Sequence, residues 1–321
     1  MTPALTTSSR RSTLATSSAA TNFQFSLFIF QFPMSRFLPL FAAILLLVGC
    51  SKDRVSETNT AKVHVTFDAF SVSQGEFDSK ATIADYNNIK YVVLAFYKSD
   101  GSQQYKSIQY RNDPTTYDTV FGDFDLTLPM GSYTMVAFGY STIDGSPFEL
   151  TSTTLASYTG EHALETFSVT QAVNITNTND VTLNAALDRI VSKLQVISTD
   201  GRTANASNIQ MTISGGSRSF NPTTGLASDN NGFVNTVGIS ASEGDPSTST
   251  TYLFVYSDPQ TVTVTIDVLN SDGQSISQKV VNNVPLQRNR VTKLTGPLYT
   301  SGAGTGFTVN TTWLSDTTIT F

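Results

Sequence analysis

The chain contains two histidines, His64 and His162, and one cysteine, Cys50, so few side chains can do chemistry near neutral pH. The histidines stand 98 positions apart, which leaves little from which to build a multi-histidine metal site or a serine-histidine-aspartate triad. His64 lies on the polar side of an alternating run and reads as a solvent contact. Asp123 and Asp125 sit two apart on one strand face. A carboxylate pair can serve glycoside hydrolysis, but no partner carboxylate is identifiable, and a solvated strand face explains both equally well. The run Asp229-Asn230-Asn231-Gly232 offers oxygens to a calcium ion, yet lacks the alternating spacing and later glutamate of a calcium loop and reads as a tight turn. Arg288 and Arg290 bracket Asn289 in an expected strand or strand entry, where two like charges on one face read as exposed rather than functional. Trp313 is the sole tryptophan, so a glycan-binding platform would fall to the twelve tyrosines. These residues point to a non-enzymatic protein without a cofactor.

Cys50 needs its own account, because one cysteine forms no intramolecular disulfide and no multi-thiolate metal site. From Met34 the sequence reads MSRFLPLFAAILLLVGC: a basic start at Arg36, an apolar run from Phe37 to Val48, then small Gly49 before Cys50. This is the pattern of an export signal. As a helix the run spans roughly 18 Å, short of the ~30 Å hydrocarbon core of a bilayer. Leu47-Val48-Gly49-Cys50 resembles a bacterial lipobox. There the Cys50 thiol takes acyl chains such as palmitate and the chain is cut between Gly49 and Cys50. Several acyl chains, at about 0.8 kcal/mol per buried CH2, make a lasting membrane anchor. Residues 1–33 do not fit a signal peptide, and translation is expected to begin at Met34. Cleavage removes 49 residues that include three arginines and no acid, taking the net charge from -6 to -9. With no Lys/Arg cluster either, nucleic acid is not an expected partner.

The elements that follow are strands. Beyond residue 60 apolar residues alternate at two rather than repeating at three and four, and Ser, Thr and Asn fill the polar positions. Residues 50–61 form a polar tether. In KVHVTFDAF, Val63, Val65 and Phe67 point one way and His64, Thr66 and Asp68 the other. IKYVVLAFYK is apolar on both faces, as a strand in mid-sandwich would be. Ser99-Asp100-Gly101 then turns the chain into QQYKSIQY, and FDLTLPMGSYTMVAFGY is two strands around Pro129-Met130-Gly131. Residues 141–180 carry the weakest pattern, with a short helix around Tyr158 to Glu165 as one reading. The polar break at Asp188-Arg189 divides an N-terminal β-sandwich domain, 62–187, from a C-terminal one, 188–321. TVTVTIDVLNSDGQSISQKVV echoes YVVLAFYKSDGSQQYKSIQY, including the Ser-Asp-Gly turn, which suggests two similar sandwiches or coincidence.

NNVPLQRNRVTKLTGPLY resembles the carboxy-terminal segment of Bacteroidetes fimbrillin-family lipoproteins, especially anchor-type fimbrial subunits. GGSRSFNPTTGLAS, TYLFVYS, LPMGSYTMVAFGY, KVHVTFDAFSVSQ and the lipobox extend the resemblance over most of the chain after Cys50. It implies an all-β chain of two transthyretin-like β-sandwich domains in tandem, exported as a lipoprotein to the outer membrane and displayed in a pilus or adhesin. It also implies other fimbrial subunits and a host or bacterial surface ligand as partners. Stalk subunits of that family lose their first strand to an arginine-directed protease, and another subunit's strand fills the groove. Here the loop after the first strand offers Lys80 but no arginine, and Arg54 precedes that strand. An uncleaved, membrane-retained subunit is therefore expected, with a glycan-binding surface lipoprotein outside any pilus as the alternative. GFTVNTTWLSDTTITF holds two short alternating segments that read either as closing core strands or as a donor appendage. Asp118-Thr119-Val120 and Asp316-Thr317-Thr318 resemble Bacteroidetes O-glycosylation sites.

Overall fold

The computed structural model describes residues 59–71, 80–82, 86–111, 120–142, 147–160, 163–300 and 306–310, and among these there is strand, turn and loop but no helix. The first half supplies β1 (Thr60–Ser71), β2 (Lys80–Thr82), β3 (Tyr91–Lys98), β4 (Gln103–Tyr110), β5 (Asp123–Pro129), β6 (Gly131–Tyr140), β7 (Phe148–Ser152), β8 (Leu155–Tyr158), β9 (Thr166–Ile175) and β10 (Val181–Arg189). The second supplies β11 (Ser192–Ser198), β12 (Asn208–Ile213), β13 (Ser219–Asn221), β14 (Leu226–Ala227), β15 (Phe233–Gly238), β16 (Thr248–Leu253), β17 (Gln260–Leu269), β18 (Ser275–Leu286), β19 (Val291–Gly296) and β20 (Thr308–Asn310).

Alternation becomes burial as the sequence requires. In β1, Ala61, Val63, Val65 and Phe67 are buried while Lys62 and Asp68 are exposed. A register shift between Phe67 and Ala69 then turns Phe70 inward as well. β1 runs antiparallel to β5 and parallel to β10, and a short β10–β9 pairing joins this part to β9-β6-β3-β4 in one eight-stranded sheet, whose two parts enclose a first core that includes Phe67, Phe96, Leu128 and Met135. The second half repeats the plan. β11 lies between antiparallel β16 and parallel β19, opposite β15-β12-β17-β18, around a second core that includes Val196, Met211, Ile266 and Leu294.

The repeat therefore exists, but not in the register suggested by the Ser-Asp-Gly echo. Both turns are hairpins, with Gly101 and Gly273 at φ 82° and 77°, a conformation glycine adopts without steric cost. By order along the chain and neighbours in the sheet, however, β17 occupies the place of β6 and β18 that of β9, whereas the echo equates them with β3 and β4. Short-turn chemistry recurs wherever a hairpin is needed, so it marks hairpins rather than topological position.

A third core joins the halves. β3 and β6 are apolar on both faces: Val92, Leu94 and Phe96 enter the first core, while Val93, Ala95, Tyr97, Val136, Phe138 and Tyr140 enter the third. A small sheet of order β14-β13-β8-β7 covers that second face. It takes β7 and β8 from the first half and β13 and β14 from the second, paired at Ser219↔Ser157 and Phe220↔Ala156. Aromatic rings run through it, with Phe138–Phe148 at 4.9 Å, Phe148–Tyr158 at 4.9 Å and Phe220–Phe254 at 5.2 Å between centroids. Tyr158 closes β8 and Ala163 bridges to Tyr252, so the described part of the Tyr158–Glu165 stretch is extended rather than helical. Asp188 and Arg189 are the last residues of β10, and the chain passes to β11 through buried Ile190 and Val191.

Beyond β19 the chain is held by Asp200, whose Oδ1 accepts from the Leu298 N–H at 2.7 Å and whose Oδ2 accepts from Tyr299 and Thr300 N–H at 2.9 Å each. β20 then pairs antiparallel with β19, and Phe307 and Val309 pack on the second core. The first alternating segment of GFTVNTTWLSDTTITF is thus a closing strand, and residues 311–321 lie outside the described residues. Burial pushes the Asp200 carboxyl upward, but the N–H groups of Leu298, Thr300 and Tyr299 outweigh it and hold the net value below the usual range.

Two outcomes follow from this architecture. Phe254→Ala should cost about 3–5 kcal/mol and shift one calorimetric transition for the described body as a whole; a second transition left unmoved would contradict the shared core. Asp200→Asn should cost about 2 kcal/mol at pH 7. Because the folded carboxyl titrates below its unfolded value, that contribution is present above the unfolded value and fades as pH falls through the folded one. Urea unfolding of both proteins should therefore converge in acid, and a pH-independent gap would contradict the role of the charge.

Candidate functional site

The residues expected for lipidation and signal cleavage, Cys50 and Gly49, and the candidate processing site Arg54 lie outside the described residues, as do His162, Trp313 and the Asp118-Thr119 and Asp316–Thr318 positions. Lys80, the other candidate processing site, is the first residue of β2, and its backbone stands opposite Ser71 at the end of β1.

His64 has more company than a solvent contact. It faces Asp125 across the β1–β5 ladder; Nδ1 lies 2.8 Å from Asp125 Oδ1, and Nε2 lies 3.0 Å from the Thr66 hydroxyl. Hydroxyl, imidazole and carboxylate are connected as in a nucleophilic triad. Their setting differs, because the Asp125 side chain is 87% exposed and the β1 backbone is engaged in ladders to β5 and β10, so the strand offers no paired donors for an oxyanion. The arrangement is a cross-strand surface contact, and such contacts contribute about 0.2–1 kcal/mol. Asp123 stands opposite Thr66 on the same strand pair.

The Asp229–Gly232 run is an irregular connection leading into β15 rather than a hydrogen-bonded tight turn, and its oxygens serve the fold. Asn230 Oδ1 accepts from Gly216 N–H at 2.8 Å and Gln260 Nε2 at 2.7 Å, and Asp229 Oδ2 accepts from the Ser217 hydroxyl at 3.0 Å. Gly232, at φ 67°, has no room for a Cβ, which would meet the Ile213 carbonyl oxygen at 2.2 Å. No cluster of three or more potential metal ligands occurs among the described residues.

Arg288 and Arg290 stand at the entry to β19, the second of the two expected placements, rather than within a strand. They flank Asn289 in the turn between β18 and β19, with Asn289 at φ 55° and its N–H donating to the Val191 carbonyl at 2.8 Å. Arg288 pairs with Asp258 at 3.2 Å. Arg290 reaches a cleft where the two halves meet, lined by Tyr86, Asn88, Glu165, Arg189, Val191, Lys193, Tyr252, Asn289, Arg290 and Val291.

Arg189 organises that cleft. Nη2 lies 2.7 Å from Glu165 Oε1 and 3.0 Å from the Tyr86 hydroxyl, Nη1 donates to Asn289 Oδ1 at 3.0 Å, and the guanidinium sits 5.1 Å from the centroid of the Phe167 ring. Tyr86 in turn donates to Glu165 at 2.6 Å. Burial raises the Tyr86 phenol, the Glu165 hydrogen bond and charge add to that, and Arg189 partly offsets it. Also in the cleft lining, the Lys193 ammonium lies 5.8 Å from the Tyr252 ring centroid. The sequence marks Arg290 and Arg189 singly but not this grouping, because its partners stand 24 to 103 residues apart. The one local signal is the charged pair Asp188-Arg189 set between Leu187 and Ile190 in an otherwise apolar-rich run.

A family model described as a family of unknown function (DUF6562) matches residues 56–321. No curated protein matches the chain. Among solved structures the chain is similar to two Bacteroides ovatus proteins, each described as a "putative adhesin". One has a TM-score of 0.50 at 12% identity, covering 80% of this chain and 97% of that one. The other has a TM-score of 0.48 at 13% identity, covering 74% and 87%. The fimbrial anchor protein Mfa2 from Porphyromonas gingivalis has a TM-score of 0.42 at 13% identity, covering 74% and 90%. At such identities the likeness scoring 0.50 establishes a shared fold.

Arg189→Met should leave Glu165 facing a lost partner and cost about 3 kcal/mol, while Arg189→Met with Glu165→Leu should recover most of it. A double variant as unstable as the sum of the singles, measured by denaturant unfolding, would contradict the coupling.

Proposed function

The chain belongs to the DUF6562 family of unknown function, and within it we propose that this protein is a lipid-anchored, surface-exposed subunit of fimbrillin type, an anchor or structural component of a cell-surface pilus. Acylated Cys50 holds it to the outer membrane, a polar tether leads to β1, and tandem transthyretin-like sandwiches, divided near residues 187 and 188, project outward to engage other subunits through strand complementation. The description of the structurally similar Bacteroides ovatus protein as a "putative adhesin" supports this reading.

The observation that carries it is β1. Its buried face, Ala61 through Phe70, fills a slot between β5 and β10. An emptied slot would expose that apolar floor and two rows of backbone groups, which is the condition under which a donated strand binds. Between β1 and β2 the sequence holds no arginine, and Lys80 stands paired at the start of β2. Cutting at Arg54 would release the lipid and leave the slot filled. The chain is thereby suited to remain anchored and intact while accepting or donating a strand elsewhere.

Protein extracted from native membranes should carry its lipid on Cys50, retain β1, and bring fimbrial subunits with it in a pull-down read by intact mass. Cys50→Ser should shift it to the soluble fraction. An amino terminus at Ala81 would overturn retention, and an absence of fimbrial subunits together with capture on a defined polysaccharide would favour a glycan-binding lipoprotein outside any pilus.

A further inference from the structure

We propose that the edge of β4 is a self-association surface, pairing antiparallel with β4 of a second copy of this chain. β4 ends the sheet order β2-β1-β10-β9-β6-β3-β4, and among the described residues its backbone pairs with β3 alone. Edge strands are ordinarily guarded by charge, proline, a bulge or brevity. β5 has Asp123, Asp125 and Pro129, β18 has Pro285 and two register shifts, and β2, β14 and β20 are two or three residues long. β4 runs for 8 residues with no proline and one charge, Lys106. That charge is engaged within the fold, its ammonium donating to the Leu150 carbonyl at 2.7 Å. From Tyr105 to Tyr110 the ladder to β3 is unbroken, so no bulge turns the edge aside.

What this edge presents is apolar. Ile108 is 53% and Tyr110 45% exposed, and no other described strand carries two large apolar residues so open. Tyr110 is already held, its ring 4.9 Å from Tyr91, which stacks on Tyr140 at 5.1 Å, so pairing orders it at little further cost. The strand complements itself about a two-fold axis perpendicular to the sheet, an arrangement that leaves each face on its own side. With Ile108 opposite its own copy, apolar side chains meet at the axis, Lys106 faces the copy's Tyr110, and Ser107 faces the copy's Gln109. A register centred on Lys106 would set two ammonium groups directly opposite each other, which is unfavourable. One centred on Ser107 would oppose Ile108 to Lys106, and one centred on Gln109 would keep only Ile108 to Tyr110 in the ladder. The inference goes beyond the pilus reading and does not rest on it, because the edge belongs to the folded body whether or not Cys50 is acylated.

The full chain, purified in detergent, is tested by thiol cross-linking and by sedimentation. Ile108→Cys, treated with the oxidant diamide, should give a disulfide-linked dimer with the link located at position 108 by peptide mass. Directly opposed Cα atoms lie about 4.5–5.5 Å apart, and a disulfide spans about 4.4–6.8 Å. Lys106→Cys should not link to itself, since its two copies would stand about 14 Å apart along the strands. Val280→Cys, at 50% exposure on β18, should not link either. Ile108→Lys sets like charges opposite each other at the axis and should weaken the dimer about tenfold or more in sedimentation, with circular dichroism unchanged. A monomer at every concentration, linking at position 106 or 280 as readily as at 108, or a dimer indifferent to Ile108→Lys would overturn the proposal.

Discussion

β3 and β6 are apolar on both faces, and much of the molecule is a consequence. A strand with one apolar face needs one opposing layer; a strand with two needs a second cover. The first cover is the layer holding β1, supplied from within the first half. The second is the small sheet β14-β13-β8-β7, and neither half can supply it alone. Burying rings such as Phe138, Phe148, Phe220 and Phe254 contributes about 1.5–3 kcal/mol each, so the junction rivals an ordinary core. Two halves with the same strand plan are thereby made one body, and the chain crosses between them through buried Ile190 and Val191 rather than a solvated linker.

The polar cleft is the rim of that junction. Where β9, β10, β11 and the β18–β19 turn converge, backbone direction changes, and groups that strands would leave exposed are brought together. Arg189 holds Glu165, Tyr86 and Asn289, three residues from three separate segments. Such a network fixes the relative position of its segments, because leaving any one member buried without its partner is costly.

Much of the strand layout was legible in the sequence. Val63, Val65 and Phe67 alternate with polar residues and are buried as the pattern requires, YVVLAFY is apolar throughout because both of its faces are covered, and Asp100-Gly101 and Asp272-Gly273 mark real hairpins. The junction was not legible. β7 and β8 span five and four residues, β13 and β14 three and two, too short for a period to show, and their partners lie in the other half. The Ser-Asp-Gly echo misaligned the repeat because turn chemistry is local while topology is not. The spacing of Arg288 and Arg290 fits a strand or a strand entry, and nothing in it reveals that Asn289 adopts positive φ. His64 met Asp125 only through the register of β1 against β5.

A retained first strand within a single body is the point on which structure and function meet. Hydrogen exchange of the intact protein, followed by mass spectrometry of peptides from β1, β3, β6 and β13, tests it directly. Peptides from β1 and β13 should exchange as slowly as those from β3 and β6, opening only with the whole. Rapid exchange of β1 while β3 and β6 stay protected would make it a removable strand and contradict the account.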